Sequence, residues 1–326
     1  MNDSADLVTI TRPPGRAGLP GQGPSHPLGL PHSLAALDRC LVMGVLNVTP
    51  DSFSDGGRWA EAEAAVTRGL ALAADGADIV DVGGESTRPG AGRTDVADEL
   101  RRVLPVVEAL ADAGLVVSID TMRAEVADAA LAAGAVLVND ISGGLADPAM
   151  ADLVADARVP FVAMHWRGPS DLMEELAVYG DVVDDVRAEL ARRLEGLAAA
   201  GVDPDRVVLD PGFGFAKRPA HSWTLLARLD ELLALGRPLL VGTSRKRFLG
   251  QAVAVPGEAD VPAERDHATA ATSLLAAMKG AWAVRVHEAR ASADAVRVAA
   301  AVAAAGTEQG TTAGAGQATP AAGGAP

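Results

Sequence analysis

Eight short apolar segments, separated by amphipathic stretches, constrain the fold of this 326-residue chain more than any other feature. They are segments 41–46, 79–82, 116–119, 136–138, 159–164, 207–209, 238–241 and 283–286. Their apolar residues are mostly consecutive rather than alternating, which is typical of buried parallel strands. The stretches between them place apolar side chains three and four residues apart, as amphipathic helices do. The chain therefore alternates between strand and helix eight times.

Eight such alternations predict an α/β protein with a single TIM (β/α)8 barrel, because eight parallel strands close a barrel whereas an open doubly wound sheet normally has fewer. The length alone would also allow two domains. However, residues 1–33 are rich in Pro and Gly and predict a flexible arm. Residues 304–326 have no large apolar side chain and predict a disordered tail. The barrel is therefore expected over residues 34–303.

The composition excludes several classes of protein. The chain has 28 Lys and Arg against 43 Asp and Glu, a formal net charge of −15, which argues against binding to nucleic acid or to anionic membranes. Its single cysteine, Cys40, permits neither an internal disulfide nor a cysteine-rich metal site. Apolar runs are too short for a membrane span, and residues 1–16 lack the pattern of a secretion signal. We therefore expect a cytoplasmic protein.

The active site of a TIM barrel lies at the carboxyl ends of its strands. Three polar residues directly follow predicted strands there: Asp120, Asn139 and Asp210. Together they suit a flat heterocycle with an N–C–N edge, because a carboxylate accepts two N–H bonds and an amide both donates and accepts. Lys246 is placed to bond the same ring. The alternatives are that Asp210 only opens an Asp-Pro-Gly turn and that Asn139 only ends a strand.

Residues at the carboxyl ends of the last two predicted strands form a candidate anion site. Arg285 lies in the eighth segment and His287 follows two residues later in the same extended stretch, so both side chains are expected to point the same way. With Ser244 and Arg245 after the seventh segment, they predict a phosphate or diphosphate site of the kind that barrels build from their last loops. Asn47 offers an oxygen that suits Mg²⁺, which commonly takes a few protein oxygens together with substrate phosphates. A purely structural Asn47 is the alternative.

Two long polar loops, 47–57 and 83–93, follow the first two strands and predict mobile lids. Phe53 lies in the first loop without a neighbouring apolar run. We expect it to close over an aromatic ligand together with Pro89 and Phe215, although it could instead pack on its own loop. His165, after the fifth segment, is expected to be structural.

Five segments, taken together, resemble the dihydropteroate synthase family, most closely its actinobacterial form. The segments are 43–57, 81–90, 210–217, 244–250 and 285–287, in the order that the family has them. The resemblance covers about residues 38–300. Ala216 is a departure, since many members have Gly there, and we expect it to be tolerated.

The resemblance implies a transferase of folate biosynthesis. Such an enzyme joins 6-hydroxymethyl-7,8-dihydropterin diphosphate to p-aminobenzoate, releases diphosphate and uses Mg²⁺. It also implies that sulfonamides compete with p-aminobenzoate. A homodimer is implied as well, with helix 268–280 as a candidate interface, although the same helix face could simply pack on the barrel.

The resemblance assigns residues to each part of the site. The pterin positions are Thr87, Asp120, Asn139, Asp210 and Lys246. The diphosphate positions are Asn47, Arg88, Arg285 and His287, and Asn47 is also the Mg²⁺ position. The p-aminobenzoate positions are Phe53, Arg88, Pro89, Phe215, Ser244 and Lys246. The expected catalytic residues are Asp51, Arg88, Lys246, Arg285 and His287, with Asp51 and Arg88 ordering the two loops around the reacting cation.

Two other functions use a similar pocket. A corrinoid-dependent methyltransferase that takes a methyl group from methyltetrahydrofolate shares the barrel and an Asp/Asn/Asp pterin pocket. It does not need the diphosphate-binding set formed by residues 244–246 and 285–287. A pterin-binding paralogue without synthase activity is the non-enzymatic alternative.

Overall fold

A computed structural model describes residues 25–48, 57–85, 94–169, 172–255 and 261–313. The strands are β1 (Leu41–Asn47), β2 (Ile79–Gly83), β3 (Val117–Asp120), β4 (Leu137–Asp140), β5 (Phe161–Met164), β6 (Val207–Asp210), β7 (Leu240–Val241) and β8 (Ala283–Val286). The helices are α1 (His32–Ala35), α2 (Gly57–Ala74), α3 (Val96–Asp112), α4 (Ala124–Ala132), α5 (Met150–Ala157), α6 (Val182–Ala199), α7 (Pro219–Ala227), α8 (Leu229–Leu233), α9 (Arg247–Val253), α10 (Asp266–Met278) and α11 (Ala289–Ala313).

The strands form one parallel sheet in the order β6-β5-β4-β3-β2-β1-β8-β7. A single parallel bridge between Leu209 and Leu239 brings β6 next to β7. The backbone N–H of Leu209 also donates to the carbonyl of Pro238 at 2.9 Å. These contacts complete the ring, so the predicted TIM barrel is confirmed.

Alternate residues of each strand pack into two different apolar clusters. One cluster fills the amino-terminal part of the barrel interior and includes Met43, Leu137 and Val208. The other lies between the sheet and the surrounding helices and includes Val42 and Phe161. Both faces of the strands are therefore buried, which explains why the sequence shows continuous apolar runs.

Five of the strands, β1 to β4 and β6, extend past the carboxyl ends of their predicted apolar segments. Asn47, Asp120 and Asp210 are the last residues of β1, β3 and β6 rather than the first residues of the loops. Pairing with neighbouring strands holds these polar residues in extended backbone. The strands β5, β7 and β8 end where their apolar segments end, and only Leu240 and Val241 of the predicted segment 238–241 form β7.

Residues 25–33, which the sequence assigns to a flexible arm, lie against the amino-terminal end of the barrel. Leu30 is buried with Trp282 in the inner cluster, and the N–H of Leu28 donates to the carbonyl of Asp205 at 2.8 Å. The apolar side chains explain this difference, since Leu30 covers an end of the barrel that would otherwise be exposed. At the other terminus, α11 continues past residue 303 to Ala313, into the segment for which the sequence predicts a disordered tail.

Within the described ranges, no helix combines the length and apolar character needed to cross a membrane.

Asp78 joins the start of β1 to the turn before β2. Its carboxylate accepts two hydrogen bonds from the guanidinium of Arg39, at 2.7 and 2.8 Å, and one from the backbone N–H of Val42 at 2.8 Å. The Asp78 side chain is 10% exposed. Solvent therefore replaces these bonds poorly, and the carboxylate stabilises the first strand pair.

The Asp78→Asn variant should lower the free energy of unfolding by about 1.5–3 kcal/mol, since hydrogen bonds to a charged group are lost at a largely buried position. Urea denaturation measures the change. Asp112→Asn, the same substitution at the exposed end of α3, is the control and should change stability by less than about 0.5 kcal/mol. Equal stabilities of the two variants would contradict the role of Asp78.

Candidate functional site

Four neighbouring strands bring polar side chains to one level of the barrel mouth. The strand register aligns Asn47 with Gly83, Gly83 with Asp120, and Asp120 with Asn139. Residues aligned in this way point to the same face of a parallel sheet. At Gly83, an added Cβ would lie 3.4 Å from the Cβ of Asp120, so the glycine keeps space beside that carboxylate. Asn47, Asp120 and Asn139 thus form a row at the mouth.

Arg285 binds two carboxylates, that of Asp120 in this row and that of Asp81, which lies deeper in the barrel on β2. Its Nε donates to Oδ2 of Asp81 and its Nη2 donates to Oδ2 of Asp120, both at 2.6 Å. Burial acts to lower the pKa of Arg285, but the two carboxylates outweigh burial and the pKa is raised. Arg285 is therefore a permanent cation held by β2 and β3.

Asp81 is a site residue that the sequence reasoning missed. Its side chain is fully buried, and its Oδ2 also accepts a hydrogen bond from Nδ2 of Asn139 at 2.9 Å. This bond fixes the orientation of the Asn139 amide. The available signal was a charged residue in the middle of an apolar strand, Ile79-Val-Asp-Val82, because such a residue needs a charged partner.

The carboxylates of the mouth are shielded from water. Burial raises the pKa of Asp120, and Arg285 opposes the shift. Burial also raises the pKa of Asp210, whose Oδ1 accepts a hydrogen bond from the N–H of Gly212 at 2.7 Å. Asp210 is thus fixed by the loop that follows β6. Both groups would gain from a ligand that donates N–H bonds to them.

Lys246 and Phe215 lie together on the opposite side of the mouth from the polar row. The Nζ atom of Lys246 is 3.9 Å from the centre of the Phe215 ring. Burial lowers the pKa of Lys246 to about 8, although Asp210 opposes the shift. The structure therefore brings together a cation, a carboxylate and an aromatic face, those of Lys246, Asp210 and Phe215, whose roles toward a ligand stay predictions.

His287 and Ser244 form a pair after β8 and β7. Nδ1 of His287 is 3.0 Å from Oγ of Ser244, which also accepts a hydrogen bond from the backbone N–H of His287 at 3.2 Å. Burial, followed by the nearby Arg285, lowers the pKa of His287 to about 3. The imidazole is therefore neutral at pH 7, so it offers an anion one hydrogen-bond donor and no positive charge.

The remaining predicted site residues lie outside the residues that the structure describes. They are Asp51, Phe53, Thr87, Arg88 and Pro89. Their roles stay predictions.

The side chains at the mouth fit a metal ion that is coordinated mainly by the oxygens of a bound phosphate. No group of three or more His, Cys, Asp or Glu side chains suited to a metal occurs within the described ranges. Asp81 and Asp120 are engaged by Arg285. Among the described residues, Asn47 would offer a neutral oxygen to an ion at the mouth, and oxygens of a bound phosphate would add a coordination that Mg²⁺ accepts.

The Arg285→Met variant should lose about 3–5 kcal/mol of folding free energy, because it leaves the buried carboxylates of Asp81 and Asp120 without a cation. Chemical denaturation followed by circular dichroism measures the loss. Arg290→Met is the matched control, since Arg290 pairs with Asp294 on the exposed surface of α11 and should change stability by at most about 1 kcal/mol. A small loss in both variants would contradict the proposed pairing.

Comparison with known proteins gives a consistent result. A profile of pterin binding enzymes matches residues 43–287. The dihydropteroate synthase of Mycobacterium leprae is 58% identical over 259 residues, which cover 79% of this chain and 91% of the relative.

Solved structures of the same kind of enzyme are also similar. Dihydropteroate synthase of Xanthomonas albilineans with 4-aminobenzoic acid has a TM-score of 0.75 and 47% identity, covering 81% of this chain and 93% of its own. The same enzyme in complex with 7,8-dihydropteroate has a TM-score of 0.72 and 45% identity, covering 81% and 94%. The matched segment contains the polar row, Arg285, Asp210 and Lys246, and the chain belongs to the pterin binding enzyme family, in which its similar relatives are dihydropteroate synthases.

Proposed function

We propose that the barrel joins 6-hydroxymethyl-7,8-dihydropterin diphosphate to p-aminobenzoate, giving 7,8-dihydropteroate and diphosphate. The observation that carries this proposal is the convergence of Asp120, Asn139, Asp210 and Lys246 on one mouth, within a chain so similar to dihydropteroate synthases. In the reaction the bond between the pterin methylene carbon and the diphosphate oxygen breaks, and the diphosphate keeps the electron pair. A bond from the aniline nitrogen to the carbon forms, and one aniline proton leaves.

The buried carboxylates suit the pterin ring and the charge that develops on it. A pterin presents an N–C–N edge, and the carboxylate of Asp210 can accept hydrogen bonds from its N–H groups. The side-chain amide of Asn139 offers the ring both a hydrogen-bond donor and an acceptor. As the diphosphate leaves, the methylene and ring become positive. Asp210 and Asp120 stabilise this charge, because electrostatic interactions are strong where water is excluded. No nucleophilic side chain is needed.

The proposed position of the diphosphate is near Arg285, His287 and Ser244. A guanidinium has five N–H groups, and Arg285 uses one from Nε and one from Nη2 for its two carboxylates. The others remain for phosphate oxygens. Because His287 is neutral, the positive charge on this side comes from arginine and lysine side chains, Arg285 and Lys246 among them.

Mg²⁺ is proposed as the cofactor, with Asn47 as its protein ligand. The ion would neutralise charge on the diphosphate. In the same way, the p-aminobenzoate position beside Phe215 and Lys246 is proposed as the site where sulfonamides compete. Thr87, Arg88, Pro89, Phe53 and Asp51 complete the proposed site from the two long loops.

A cytoplasmic homodimer is the proposed form of the enzyme. Helix α10 supports this assignment, since two of its apolar side chains, Leu275 and Met278, are 49% and 60% exposed. The negative net charge is consistent with a soluble enzyme that binds neither nucleic acid nor an anionic membrane.

Turnover tests the proposed function directly. The purified chain should release one diphosphate and form one dihydropteroate per reaction when it is given both substrates and Mg²⁺. Removal of Mg²⁺ with a chelator should lower the rate by at least tenfold. Asp210→Asn should lower kcat/KM by about 100-fold or more, since it removes the charge that stabilises the cation. Binding of the pterin diphosphate without release of diphosphate would contradict the proposal and favour a pterin-binding paralogue.

The alkaline side of the pH profile tests Lys246. Because its pKa is about 8, the ammonium loses its charge as the pH rises through this value, and kcat/KM for the pterin diphosphate should fall with an apparent pKa near 8. In Lys246→Arg the fall should move above pH 10, since a guanidinium stays protonated. Lys279→Arg, on the surface, should keep the original profile. An unchanged profile in Lys246→Arg would contradict the assignment.

A further inference from the structure

The loop after β6 has a backbone that needs support. Gly212, Gly214 and Ala216 all have positive φ, at 68°, 73° and 45°. The left-handed region is unfavourable for Ala216, whose Cβ crowds the backbone there. Such a conformation persists only where the surrounding structure holds it. The loop matters because it carries Phe215, whose ring lies beneath Lys246.

One chain of contacts reaches the loop through Tyr179. Its hydroxyl donates to the carbonyl of Ala216 at 3.0 Å. The guanidinium of Arg167 lies over the Tyr179 ring, 3.8 Å from its centre. Arg167 in turn donates from Nε and Nη2 to the two carboxylate oxygens of Glu189, at 3.0 and 2.6 Å. Glu189 is on α6, outside the barrel mouth.

A second chain of contacts starts from the same carboxylate. Oε2 of Glu189 is 2.8 Å from Nε2 of His165. Nδ1 of His165 is 3.0 Å from Nζ of Lys217, which also donates to the carbonyl of Phe215 at 3.1 Å. Burial lowers the pKa of His165 to about 4, so the ring is neutral at pH 7. It therefore carries its proton on Nε2 and accepts from Lys217 on Nδ1.

We infer that Glu189 is a positioning residue for the wall of the site that faces p-aminobenzoate. Its carboxylate holds two arms, one through Arg167 and Tyr179 and one through His165 and Lys217. The arms end on successive carbonyls of the loop, those of Ala216 and Phe215. They keep the loop in its left-handed conformation and so keep the Phe215 ring beneath Lys246. The inference rests on the proposed function for the identity of the ligand.

Another ion pair shows what a purely local role would look like. Arg228 binds Glu231 with the same two-bond geometry, at 2.7 and 2.8 Å. Arg228 also binds Asp181. None of these contacts reaches the loop after β6. Glu231→Gln is therefore a matched control for Glu189→Gln, since each removes a carboxylate that accepts two bonds from one arginine.

Steady-state kinetics with each substrate varied separately tests the inference. Glu189→Gln should raise KM for p-aminobenzoate by at least tenfold, with kcat and KM for the pterin diphosphate within threefold of the wild type. Tyr179→Phe removes one arm only and should raise KM for p-aminobenzoate less, by about threefold. Glu231→Gln should change neither KM. Equal effects of Glu189→Gln on both substrates, or unchanged KM values with only a lower Tm, would overturn the inference.

A measurement that does not depend on turnover separates this inference from the proposed function. Tyr179 is the single tyrosine of the chain, so incorporation of 3-fluorotyrosine gives one ¹⁹F NMR signal from the first arm. The signal should move or broaden in Glu189→Gln and stay in place in Glu231→Gln. An unmoved signal in Glu189→Gln overturns the coupling even if the chain proves to have another substrate. Absence of turnover in the wild type with a moved signal contradicts only the proposed function.

Discussion

The mouth of the barrel depends on the guanidinium of Arg285 between the carboxylates of Asp81 and Asp120. Two carboxylates in the interior of a barrel repel each other and lose their hydration, and either effect alone would favour protonation or unfolding. Arg285 comes from β8 and reaches across β1 to β2 and β3. The same contacts hold the carboxylate of Asp81 where Asn139 binds it. One arginine therefore fixes both the acceptors and the amide of the mouth.

The distribution of charge follows from this arrangement. At the row, the guanidinium of Arg285 faces the carboxyl groups of Asp81 and Asp120, and Asp210 adds a third carboxyl group on β6. Burial raises the pKa of Asp120 to about 7 and also raises the pKa of Asp210. Lys246 is the facing cation, with a pKa low enough for its charge to depend on the ligand and the pH. His287 contributes none, because burial keeps it neutral. The mouth thus combines three buried carboxyl groups with the cations Arg285 and Lys246, a combination that suits the cationic ring and the leaving anion of the proposed reaction.

Sequence patterns predicted the barrel and much of the mouth, for physical reasons. Buried parallel strands need continuous apolar runs, and the carboxyl ends of such strands meet, so Asp120, Asn139 and Asp210 could be placed together without coordinates. Asp81 was missed because it is a single charged residue within the apolar segment 79–82, which was interpreted only as a buried strand.

Other features depend on distances that no local pattern encodes. The contact between Lys217 and His165 joins residues 52 positions apart. The neutral state of His287 follows from burial, which a sequence does not show. The packing of residues 25–33 was also missed, since Pro and Gly around Leu30 indicate flexibility until a complementary apolar surface is known.

The join between β6 and β7 is the thinnest part of the barrel wall. Elsewhere, neighbouring strands share ladders of two to five aligned pairs, whereas this seam has one bridge beside a strand of two residues. Asp210 ends the strand on one side of the seam, and Lys246 follows the strand on the other. Asp210 and Lys246 therefore lie at the ends of the two neighbouring strands that share the fewest backbone pairs. Opening of the seam would change the distance between Asp210 and Lys246 and would leave the pairing of β1 to β4 intact.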